Sequence, residues 1–111
     1  MGRAEGLSQV EQYVLLCLVR LKGPAYGVPI HQEIEERTGR SVSVATIYSA
    51  LDRLEKEGLI ESYLSAPLPE RGGRAKRLFR LSPEGAASLR QARQVHDRMW
   101  EGVDLRAALE S

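Results

Sequence analysis

The sequence predicts an α+β, mostly helical fold of three helices, a two-stranded hairpin and a long final helix. Apolar residues recur at helical intervals in four separate stretches. Two short runs, residues 59–64 and 76–81, instead carry the composition of paired strands. Helix start and stop signals fall between the stretches and divide them. With 111 residues the chain has the size of one domain, and 42% hydrophobic with 28% charged residues is the balance of a folded protein rather than a disordered one.

Residues 7–22 open with Ser8 and Glu11 at capping-box spacing and carry Val14, Leu15, Leu18 and Leu21 on one face, so they form the first helix. Gly23, accepting a left-handed cap, and Pro24 end it. The second helix starts near residues 26–29, tolerates Pro29 in its first turn, runs through Ile30 and Ile34, and stops at Gly39. Ser41 or Ser43 then caps the third helix, residues 44–57, whose stripe of Ile47, Ala50, Leu51 and Leu54 faces the core. Its other face presents Thr46, Tyr48, Ser49, Asp52 and Arg53. After Gly58 come the two strands, joined by a connection with Pro67, Pro69, Gly72 and Gly73. Ser82 and Pro83 open the last helix, which continues through Leu89, Ala92, Val95, Met99 and Val103.

Three helices followed by a hairpin make a winged helix-turn-helix, in which the third helix enters the DNA major groove and the hairpin flanks it. Residues 8–81 form that winged unit and residues 82–111 a C-terminal dimerisation helix belonging to the same compact body. The net charge of +1 gives no overall attraction to nucleic acid, so the placement of charge decides. Arg71, Arg74, Lys76, Arg77 and Arg80 lie within ten positions that hold no acid. On a glycine-containing loop they suit phosphate contact, which supplies affinity without reading sequence. Thr46, Tyr48, Ser49 and Arg53 offer hydroxyls and a guanidinium to base edges. Two structural roles compete with this. Tyr48 can pack against the first helix, and Arg53 can pair with Glu57 one turn on.

Several separated segments resemble the PadR family of transcriptional regulators. They are Gly23-Pro24-Ala25-Tyr26-Gly27, the run from Thr46 and Tyr48 through Leu51, Leu54 and Glu55 to Gly58, Leu59 and Ile60, and residues 73–85 with Arg74, Lys76, Arg77, Phe79, Arg80, Ser82, Pro83 and Gly85. The short tail is similar to the compact subgroup with one terminal helix. The resemblance implies a homodimeric repressor of a palindromic operator in double-stranded DNA and, for some members, a small planar or phenolic effector that releases the DNA. Ala45 and Ser49 depart from the glycine and proline common at those positions, and Leu78 from a frequent tyrosine.

With only 5% aromatic residues in the chain, the core is left to Leu, Val, Ile and Ala, and so small a core gains from burial against a second subunit. Leu89, Ala92, Val95, Met99 and Val103, with Val10 and Val14 of the first helix, are the expected dimer interface. His96, Met99 and Trp100 are the candidate effector site, although an indole there serves interface packing equally well. Cys17, a single cysteine in an apolar run, fits a reducing cytoplasm. Neither a membrane span nor a secretion signal is expected. His31 and His96 have no ligand-spaced partners, so no enzyme, metal or cofactor is expected. The remaining alternative is a winged helix that recognises protein, and salt-insensitive binding would mark it.

Overall fold

The computed structural model describes residues 6–66 and 76–110. Its elements are α1 (Gln9–Arg20), α2 (Gly27–Thr38), α3 (Val44–Lys56), β1 (Ile60–Leu64), β2 (Arg77–Leu81), α4 (Pro83–Trp100) and α5 (Leu105–Glu110). Helix α1 begins with a complete capping box, the Ser8 hydroxyl accepting the Glu11 N–H at 3.2 Å and the Glu11 carboxylate accepting the Ser8 N–H at 2.8 Å. At its other end Lys22, at φ 59°, shares the positive-φ turn with Gly23, at φ 143°. Helix α2 stops at Gly39 as expected, and Ser43, not Ser41, caps α3 through the Thr46 N–H.

The core sits where α1, α2 and α3 meet the hairpin. Val14, Leu15, Leu18, Ile30, Ile34, Ile47, Leu51, Leu54, Ile60 and Phe79 fill it. Strands β1 and β2 pair antiparallel, with Ile60 opposite Leu81 and Leu64 opposite Arg77. Ala25 adds a single bridge to the far side of β2, exchanging both backbone hydrogen bonds with Phe79 at 3.0 and 2.9 Å. The connection between α1 and α2 thereby locks the hairpin to the helices. Ser82 completes the frame: it caps α4 through the Gly85 N–H and donates its hydroxyl to the Gly58 carbonyl at 2.7 Å.

One expectation for the dimer surface and one for the last helix need correction. Val14 is 0% exposed within one chain, because it points into the three-helix core, and cannot touch a second subunit. Val103 is not helical: α4 ends at Trp100, residues 101–104 turn with Gly102 at φ 74°, and Asp104 restarts the chain by accepting the Ala107 N–H at the head of α5. The expected single helix over residues 82–111 is therefore two helices. Of α4 only Gly85 is fully buried; Leu89 leans on the core, while Val95, Met99 and Trp100 stand in solvent. The radius of gyration is 17.0 Å, against about 13 Å for a compact chain of this length, because α4 runs out from the body.

Candidate nucleic-acid interface

The outward face of α3 stands beside the hairpin across a cleft of about 470 Å³ lined by Tyr48, Ser49, Leu51, Asp52, Arg77 and Phe79. Leu51 and Phe79 form its apolar floor, since both are buried, and the polar groups rim it. Thr46 lies at the first turn of α3, with its hydroxyl 2.7 Å from the capping Ser43 hydroxyl. Ser49 is exposed. Tyr48 is 44% exposed and covers Gly27 at the start of α2. A Cβ at residue 27 would collide with the phenol hydroxyl and lie 2.9 Å from Cε1, so Gly27 is what lets the ring lie there. Sequence reasoning had offered α1 as the packing partner; the neighbour is α2.

The basic hairpin is divided by its partners. Lys76 places its ammonium 5.1 Å from the centroid of the Tyr26 ring. Arg77 reaches Glu55 of α3 at 3.4 Å, and the same carboxylate accepts the Ser62 hydroxyl, so Glu55 ties both strands to α3. Arg80 pairs across the sheet with Glu61 at 2.9 Å and lies over Tyr63. Arg77 thus lines the cleft from the strand side and Lys76 sits over Tyr26, whereas Arg71 and Arg74 lie outside the described residues.

Arg53 departs most from expectation. Its Nε donates to Glu11 of α1 at 3.2 Å, a residue 42 positions away, so the guanidinium is anchored towards α1. Sequence reasoning missed this because Glu11 is accounted for locally as a capping residue. It also missed Glu35 and His31 as clamps of the helix-turn-helix. Glu35 accepts the Val42 N–H at 3.1 Å, and His31 Nε2 lies 2.6 Å from the Val42 carbonyl oxygen. Together they hold the turn that aims α3.

His96, Met99 and Trp100 are all exposed on the outer half of α4, with Met99 at 74% and Trp100 at 53%. Cys17 is buried, as expected for a core thiol. Among the described residues no group of His, Cys, Asp or Glu is arranged to hold a metal ion, and no helix is long and apolar enough to cross a membrane.

A family model described as the transcriptional regulator PadR-like family matches residues 15–91. The transcriptional regulator Rv3488 of Mycobacterium tuberculosis is 35% identical over 74 residues, which are 67% of this chain and 64% of the relative. A solved transcriptional regulator from Clostridium thermocellum has a TM-score of 0.70 at 28% identity, covering 83% of this chain and 86% of that one. A PadR family transcription regulator from Clostridium difficile has a TM-score of 0.65 at 26% identity, covering 84% and 88%.

Proposed function

The chain belongs to the PadR-like family of transcriptional regulators, winged-helix DNA-binding proteins and not enzymes, and from that premise we propose that it is a homodimeric repressor of a palindromic operator. One observation carries the reading: the exposed Tyr48 and Ser49 of α3 share one cleft with Arg77 of β2, and the exposed Thr46 stands at the first turn of the same helix. Helix α3 enters the major groove, where the three hydroxyls meet base edges. Lys76 and Arg77, with Arg71 and Arg74, rest on flanking phosphates.

In this reading a second copy covers the outer half of α4, where Val95, Met99 and Trp100 are exposed. Val95 and Met99, with Leu89 and Ala92 nearer the body and Val10 on α1, pair with the same residues of that copy across a two-fold axis. A flat aromatic effector stacks between the two Trp100 side chains, beside His96 and Met99, and loosens the dimer's hold on DNA. Occupancy of the operator in the cytoplasm excludes other proteins, so repression is the mode of action. Selection of bound sequences from random duplex DNA tests this reading. A palindrome supports it. No enrichment of any duplex, with salt-insensitive binding to an acidic protein instead, would mark a protein-binding winged helix.

A further inference from the structure

Glu11 is 2% exposed, and a carboxylate so deep is stable only when charge and hydrogen bonds meet it. Its Oε1 accepts the Ser8 N–H at 2.8 Å and its Oε2 accepts the Arg53 Nε–H at 3.2 Å. The capping box fixes the direction of the carboxylate, because the Ser8 hydroxyl accepts the Glu11 N–H in return. Arg53 of α3 therefore meets a carboxylate whose direction α1 has already fixed.

Arg53 stands one turn beyond Ser49 on α3, and α1 packs against both α3 and α4. The Ile47, Leu51 and Leu54 stripe holds α3 by apolar contact, which is non-directional and tolerates small rotations and slides. The Arg53 Nε–H to Glu11 Oε2 hydrogen bond adds a directional contact to that stripe. Arg53 is 54% exposed while Glu11 is buried, so the pair reaches from the surface of α3 into the α1–α3 seam and gives the two helices a specific polar contact there.

We infer that Arg53 is a positioning residue for DNA reading: through the buried Glu11 it sets the pose of α3 against α1, the helix that also meets the dimerising α4. The inference rests on the DNA-binding reading above. In the dimer this pose determines how far apart the two α3 helices stand, so the pair governs tolerance for half-site spacing as well as affinity.

The full-length chain carrying Glu11→Gln, Arg53→Met or both tests the assignment, against the selected operator, spacing variants of it and an unrelated duplex. Glu11→Gln keeps an acceptor for the Ser8 N–H. The double variant removes both charges together, which keeps a folded comparison even if one single variant unfolds. Each single variant should lose about tenfold in operator affinity, keep its affinity for the unrelated duplex and tolerate spacing variants better, while the double variant is no worse than either single. Glu11 touches no DNA in this reading, so a matching effect that does not add in the double variant comes through its contact with Arg53. A changed base preference at one half-site position in Arg53→Met, with Glu11→Gln binding like the wild type, would overturn the inference and make Arg53 a base contact. Selective operator binding by the wild-type chain is the control that tests the parent reading separately.

Discussion

Gly27 and Gly85 are both crowded, but by different kinds of neighbour. A Cβ at Gly27 meets the end of the half-exposed Tyr48 side chain, which can swing away; one at Gly85 meets the Leu59 carbonyl oxygen and lies 2.8 Å from Leu81 Cδ1, and the carbonyl belongs to fixed backbone. Gly85→Ala should therefore cost about 1–3 kcal/mol of stability as α4 is pushed off its seat. Gly27→Ala should leave the urea midpoint nearly unchanged yet weaken operator binding, because it displaces a base-facing ring. Denaturation curves and a binding titration of the two variants separate these outcomes. Cys17 supplies a pH effect. Burial pushes its thiol from the ordinary 9.0 up to about 11, with Glu33 adding to the rise and Arg20 opposing it. Because the folded value is the higher one, the contribution is intact below pH 9 and is lost as pH rises towards 11. Stability should fall by up to about 3 kcal/mol over that window, and Cys17→Ala should remove this part of the fall.

Helix α4 carries the element-scale prediction. Val95 and Met99 are exposed apolar residues one turn apart on a helix that leaves the body of its own chain. Replacing both by Asp should leave circular dichroism unchanged, convert the dimer to monomer in sedimentation, and lower operator affinity at least about tenfold by removing the linked second half-site. Most helix boundaries were legible because local chemistry sets them. Ser8 with Glu11, Gly39, and Ser82 with Pro83 each terminate or start a helix through neighbours within four residues. The end of α4 was not, because Val95, Met99 and Val103 keep helical spacing straight across the turn at residues 101–104. Asp104 was the readable sign of a restart. In the candidate site the hydroxyl face of α3 followed from periodicity, since Ile47, Ala50, Leu51 and Leu54 had to turn inward. The Arg53 anchor did not, because its partner lies 42 residues away and no periodic pattern encodes such a pair.

At the scale of the molecule, extents of 65 × 33 × 23 Å describe a winged body with a projecting helix, whose exposed apolar residues the proposed dimer would bury. A two-fold dimer built on α4 presents two α3 helices to the same side of a duplex, so the half-site centres should lie about one helical turn, roughly 10 bp, or a multiple apart. The central claim is this fixed geometry between two reading heads, and it is tested most directly by footprinting the selected operator with its half-sites moved apart by about 5 bp, which turns one of them to the opposite face of the DNA. The account predicts that protection of at least one half-site is lost at that spacing and returns when about 10 bp are inserted instead. Equal protection at every spacing would contradict it.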